Sequence, residues 1–196
     1  MMIVGYHVIF GAYGFWLPND PRGSWSNFVG SWELFRYGPA TKTDERRSLA
    51  YDEHDRKHRM AAKEALKYPA VEFSGVQARA VGRGFAKYFK KNNLQIFACA
   101  ILPDHVHLVT GRPKTSVEQM VIQLKGEATQ QLVREGIHPL ASWSQDGKRP
   151  PKCFARGEWK VFLDPEDVRL AIEYVEDNPV KEGKKKQNWS FVSPLD

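Results

Sequence analysis

The chain predicts an α+β domain of the ferredoxin-like β-α-β-β-α-β kind, an antiparallel sheet with helices on one face, followed by one further helix. Three observations carry that prediction. A β-branched and aromatic run opens the chain, a hairpin of two apolar strands sits at its middle, and two stretches with helical apolar spacing flank that hairpin. The 196 residues suit one domain, with no internal repeat and no boundary to divide them. The reading is a single unit over 1–196 with a loop and helix insertion at about 11–73.

Ile3 to Phe10 reads as a buried first strand. The following AYGFWLPNDPRGSWSNFVGSWELFRYG is dense in Gly, Pro, Asn and Trp, the turn chemistry of a long loop. Trp16, Trp25 and Trp32 have two uses open to them. They could stack on bases, with Arg22 on phosphate, or pin the loop to the core, the more ordinary use for at least two of them. Thr43 to Lys67 carries interspersed charges of both signs and reads as a solvated helix. His54 and His58 lie four apart there, but without the His-Glu-x-x-His order of a zinc helix, so they read as exposed.

Ser74 is placed to cap a helix running through Lys91, with Ala78, Val81, Phe85, Tyr88 and Phe89 forming its apolar stripe. Gly82 and Gly84 count against that helix on propensity. After Asn92-Asn93 comes the central hairpin: a strand from Ile96 to Leu102, a turn at Pro103-Asp104, and a strand from His105 to Thr110. Alternation puts His105 and His107 on one face and Val106 and Leu108 on the other. Two like-facing imidazoles are either a two-point metal clamp or a pair of solvent-facing histidines on a half-buried hairpin. His-x-His alone does not decide between these.

Thr115 or Ser116 starts the next helix, which buries Val117, Met120, Val121, Leu124, Ala128 and Leu132 and closes at Gly136. A polar connection from Ile137 to Ala155 leads to a last core strand, Trp159 to Leu163. Asp164-Pro165-Glu166-Asp167 is a strong helix start: a capping Asp, a proline at the first position and acids in the first turn. This helix turns Val168, Ala171, Ile172 and Val175 inward. It is predicted to end at about Asp177, because Pro179 disfavours helical geometry at Asn178. The basic run GKKKQ (Gly183 to Gln187) and a short apolar segment, Trp189 to Val192, follow.

A net charge of +6 favours a polyanionic partner. The two cysteines, Cys99 and Cys153, lack metal-like spacing, which argues against a structural zinc cluster. With no secretion-type start and no apolar run of membrane-spanning length, the expected setting is the reduced cytoplasm. Tyr174 and Asn178, four apart on the last helix, share a face and bring a phenol and an amide oxygen. On composition alone they are an ordinary core tyrosine and a helix-ending asparagine.

Taken together, PDHVHL and YVEDNPVKEG resemble the IS200-like, single-tyrosine (Y1, HUH) transposases, and within them the REP-associated tyrosine transposases. In that family an apolar strand and Pro-Asp precede a His-hydrophobic-His motif, and a late helix reads Tyr-Ile-x-x-Asn-Pro-Val. Ala100 to Leu108 and Tyr174 to Gly183 follow those patterns almost position for position. QLKGEATQQL (Gln123 to Leu132), FARGEWKVFL (Phe154 to Leu163) and YGFWLPNDPRGS (Tyr13 to Ser24) also look like family segments. The resemblance covers most of the chain apart from roughly Trp25 to Glu72. GKKKQ departs from it, since the family more often continues with apolar residues there.

The resemblance implies that His105, His107 and Asn178 hold Mg²⁺ or Mn²⁺ and that Tyr174 is the nucleophile. Its phenoxide would attack single-stranded DNA, leaving a 5′-phosphotyrosine and a free 3′-hydroxyl. The DNA would be hairpin-forming, of the REP or transposon-end kind. Such a protein is nucleoid-associated. A phenol ionises at about pH 10 in water, so activation has to come from the site, and the sequence reveals no base. Arg22, Lys125, Lys184, Lys185 and Lys186 are the candidate DNA contacts; each is equally a solubilising surface residue. Monomer and homodimer both remain open. One rival is a TIM-barrel hydrolase carrying His-x-His, but such barrels need about 250 residues. The other is a domesticated, non-catalytic protein that binds structured DNA.

Overall fold

The computed structural model describes residues 2–15, 17, 34, 56–145 and 147–195. Alternation sorts its strands into two faces. In β1 (Gly5–Gly11) Val8 and Phe10 enter one apolar core, while His7 and Ile9 turn to the other side. β3 (His105–Gly111) lies antiparallel to it, with Ile9 opposite His107 and Gly11 opposite His105. Val106 and Leu108 therefore join Val8 and Phe10, and His105, His107 and Val109 share the face of His7. β2 (Ile96–Ile101) and β4 (Trp159–Leu163) complete an antiparallel sheet in the order β2-β3-β1-β4, the ferredoxin-like arrangement expected of this element order.

The short α1 (Arg56–Glu64) lies in the segment between β1 and the first long helix. α2 (Gly75–Asn92) starts as the sequence predicts: the Ser74 hydroxyl accepts from the Gln77 backbone N–H, and the Gln77 side chain accepts in return from the Ser74 N–H. This reciprocal cap satisfies two backbone donors that a helix start leaves open. Asn93, in the left-handed region, ends it. α3 (Val117–Arg134), capped by Ser116, packs against α2 on the Val8 face of the sheet.

Two glycines that weaken α2 on propensity have a packing reason. A Cβ at Gly84 would lie 2.7 Å from the Cα of Ala128, so glycine lets the backbones of α2 and α3 approach. A Cβ at Gly82 would strike the Trp189 ring. Gly84→Ala is expected to destabilise the fold by about 1–3 kcal/mol, seen as a lower urea midpoint with an unchanged slope.

α4 (Pro165–Lys181) crosses the opposite face, where Val168, Ala171 and Val175 cover Ala98, Ala100 and Val109. Here the sequence reading is corrected. The helix does not stop near Asp177; it continues through Asn178 and Pro179 to Lys181. A proline so close to the C-terminus forfeits one hydrogen bond instead of interrupting a long ladder, and the Glu182 N–H still donates to the Asn178 carbonyl at 3.1 Å. Of the charged stretch, Arg56–Glu64 is helical and Ala65 to Lys67 is not, while Thr43 to Asp55 lies outside the described residues.

Beyond α4 the chain returns along the free edge of β2. The Gln187 amide receives the Ile101 N–H at 2.9 Å and donates to the Ile101 carbonyl at 2.8 Å, as a neighbouring strand would. The Ser193 N–H reaches the Ile96 carbonyl at 2.8 Å. Trp189 packs on the α2 side of the core and donates to Gln187. No helix among the described residues is long and apolar enough to cross a membrane.

Candidate functional site

Three histidines, not two, gather under α4. His105 and His107 are 8 % and 4 % exposed, so the solvent-facing alternative does not hold. Each ring is fixed on one side. The His105 Nδ1–H donates to the Asp104 carboxylate at 2.7 Å, and Phe15 stacks on the ring at 4.9 Å and 9°. The turn residue before the histidine therefore orients it, leaving Nε2 as the open nitrogen. His107 Nδ1 lies 3.0 Å from Nε2 of His7, a buried hydrogen bond between two imidazoles.

His7 is the site residue that sequence reasoning missed. It stands two positions from Ile9, the cross-strand partner of His107, and so meets that ring diagonally. The available signal was a lone histidine on the face of the first strand opposite Val8 and Phe10. Reading it as a partner of His107 requires knowing that the two strands are neighbours.

Burial lowers the His7 imidazole to about 4. It also holds His107 well below the ordinary imidazole range, with charge on His105 or His7 adding to the effect. Both are neutral at pH 7, as metal-ligating or hydrogen-bonding imidazoles must be. The unfolded chain takes up its proton near pH 6.5, before the folded chain does at about 4. Stability is therefore full above pH 6.5 and falls as the pH drops toward 4, by about 1.4 kcal/mol per pH unit for His7. Denaturant midpoints in metal-free buffer should show this slope, and His7→Leu should reduce it.

Tyr174 and Asn178 complete the cluster from α4. The Tyr174 ring centre lies 5.7 Å from both the His7 and His107 rings, all within one chain. No exchange of α4 between copies is needed to bring them together. Tyr174 is 46 % exposed, so a substrate can reach the phenol. One turn further on, Asn178 is buried, and its amide nitrogen has no hydrogen-bond partner. A buried amide without a partner is costly. Turned end for end, the amide would offer an oxygen in place of the unpartnered nitrogen, and a cation would satisfy it.

Among the described residues no group of three His, Cys, Asp or Glu is arranged to hold a metal ion. In the ligand set that the sequence resemblance implies, an asparagine oxygen would be the third donor beside the open nitrogens of His105 and His107. That donor set suits a divalent ion of intermediate hardness such as Mn²⁺ and accommodates Mg²⁺. Besides Asp104, Lys181 and Glu182 bring charge to the cluster. The Lys181 ammonium sits 5.1 Å from the Tyr174 ring centre, and a Glu182 carboxylate oxygen lies 3.9 Å from His105 Nε2.

Arg22 lies outside the described residues, as do Trp16, Trp25, Trp32 and His54. Lys125 is on α3, against the other face of the sheet. Its ammonium donates to the carbonyls of Ala155 and Gly157 at 2.9 and 2.6 Å, and burial lowers it to about 8. Lys186 pairs with Glu176 of the tyrosine helix at 2.8 Å, Lys184 lies 3.8 Å from Glu182, and Lys185 is exposed.

The family model of IS200-like transposases matches residues 45–146, a span that takes in the histidine hairpin and stops before the tyrosine helix. No curated protein matches the sequence. Two solved structures are similar in outline. A REP-associated tyrosine transposase bound to a REP hairpin shares 14 % identity over 97 % of this chain and 76 % of its own, with a TM-score of 0.48. A Deinococcus radiodurans R1 protein assigned as a transposase shares 13 % identity over 90 % and 92 %, with a TM-score of 0.43. With the family match extending over more than half of its length, the chain belongs to the IS200-like transposases.

Proposed function

We propose that this transposase nicks and rejoins single-stranded DNA through a 5′-phosphotyrosine at Tyr174, with Mg²⁺ or Mn²⁺ held by His105, His107 and Asn178. The supporting observation is the gathering of an exposed phenol, neutral buried imidazoles and an unpartnered amide on one face of the sheet. When bound, the metal supplies Lewis-acid polarisation of the scissile phosphate.

The chain's own residues do the rest. The Tyr174 oxygen attacks phosphorus and loses its proton. The bond to the 3′-oxygen breaks, and that oxygen leaves as a hydroxyl after taking up a proton. The phosphodiester energy is kept in the new bond, so a second DNA hydroxyl can reverse the step onto another strand without a nucleotide cofactor. For His107 to offer Nε2 outward, its Nδ1–H must donate to His7, whose Nε2 then accepts. Asp104 imposes the same polarity on His105. Lys181 brings positive charge to the place where a phosphate must sit against the phenol.

The DNA proposed is a hairpin-forming sequence with adjacent single strand, on the sequence resemblance to REP-associated members. The test is a panel of 5′- and 3′-labelled hairpin oligonucleotides with single-stranded flanks, incubated with Mn²⁺ or Mg²⁺. A labelled adduct that survives denaturation supports the reading. A hairpin from the panel that is tightly bound yet never cut with either metal would instead establish a DNA-binding protein without catalysis.

A further inference from the structure

We infer that the groove between α3 and the Arg149–Glu158 segment binds single-stranded DNA, as a second contact region separate from the tyrosine site. This rests on the proposed action on DNA and adds to it where an unpaired strand is held.

The groove encloses about 1010 Å³ on the face of the fold away from α4. Four exposed cations line it, Arg134, Arg149, Lys152 and Arg156, beside the interior Lys125. None of them forms an ion pair among the described residues. The two carboxylates in its lining are Glu118, paired with Lys160, and Glu158, which acts on Lys125. The groove thus keeps a surplus of positive charge in a concave surface, which concentrates anions.

Its floor differs from what a duplex needs. Ile122 and Val133 are 67 % and 45 % exposed and lie beside Phe154. Duplex DNA presents phosphates outward and is satisfied by a basic face. Unpaired nucleotides also expose base and sugar surface, and a cationic rim around an apolar floor suits both parts.

The groove wall is tied to the strand that carries His7. The Ala155 N–H in its wall donates to the Gly11 carbonyl at 2.9 Å, and Gly11 is the cross-strand partner of His105. Lys125 spans the same wall through Ala155 and Gly157. Its interior ammonium shapes the groove, while the four exposed cations face the solvent.

The test compares wild type with the triple variant Arg134→Ala, Arg149→Ala, Arg156→Ala, checked for an unchanged thermal midpoint. Two probes are used across a salt series: a labelled oligothymidylate and a blunt hairpin with no unpaired flank. The variant should bind oligothymidylate at least about tenfold more weakly. Its log Kd against log salt should flatten by about 2, since each lost single-strand phosphate contact accounts for about 0.7. Blunt-hairpin affinity should change little. Unchanged oligothymidylate binding overturns the inference, as does a loss seen only with the blunt hairpin. Adduct formation is scored separately at saturating flanked hairpin, where the triple variant should still react. A wild type that binds oligothymidylate through the groove but forms no adduct would remove the catalytic proposal and leave this one standing.

Discussion

Tyr174→Phe is expected to bind hairpin DNA as wild type does and to form no covalent adduct at all. The substitution removes one oxygen from a side chain that is 46 % exposed, and the ring keeps its edge contacts with His7 and His107. Stability should stay within about 0.5 kcal/mol, the range for exposed positions. The measurement is a denaturing gel with labelled DNA and Mn²⁺, alongside a binding assay. Binding without the adduct separates the chemical step from recognition. An adduct formed by the phenylalanine protein would reassign the nucleophile to another hydroxyl-bearing side chain.

The second large effect is expected at the metal ligands. Changing the outer partners of a ligand commonly costs 10–100-fold in metal affinity or activity, so removing ligands should exceed that. His105→Ala with His107→Ala should lower cleavage by more than about 100-fold and abolish Mn²⁺ binding measured calorimetrically without DNA. His107 is deeply buried and holds His7, so the double variant is also expected to be less stable. Asn178→Ala is the milder companion, since it deletes an amide that has no partner for its nitrogen. It should retain the metal-free fold, with a midpoint equal to or above wild type, and still lose Mn²⁺ affinity. Wild-type Mn²⁺ binding and cleavage in Asn178→Ala would exclude this asparagine as a ligand.

Much of this was legible in the residues, because the signals were local. Ser74 declares a helix start, and alternation from His105 to Leu108 states which side chains share a face. Asp164-Pro165 starts α4 for equally local reasons. The grouping of His105 and His107 with Tyr174 and Asn178 was legible only through family resemblance, since nothing in either motif requires the other. His7 was not legible. Its role follows from β1 lying beside β3, a pairing across about a hundred residues that no short motif encodes. The end of α4 was misread because a rule about the residue before proline was applied where the helix had only one hydrogen bond to lose. The environment of Lys125 was not legible either, since its ammonium donates to two backbone carbonyls. Its carbonyl partners lie on the Ala155–Gly157 segment, and no short motif places that segment beside α3.

The return of the tail along β2 bears on how the site is held together. Gln187 and Ser193 occupy the outer hydrogen-bonding groups of Ile101 and Ile96, and Lys186 reaches back to Glu176 on the tyrosine helix. The tail is thus a strap with one end on the sheet that bears the histidines and the other on the helix that bears the nucleophile. Ile101 leads through a three-residue turn to His105, so lifting the strap would slacken both halves of the site together. It would also uncover a strand edge on which a second copy could pair. Any growth of the sheet by strand addition must begin at β4, or else displace the tail and loosen the tyrosine before it can begin.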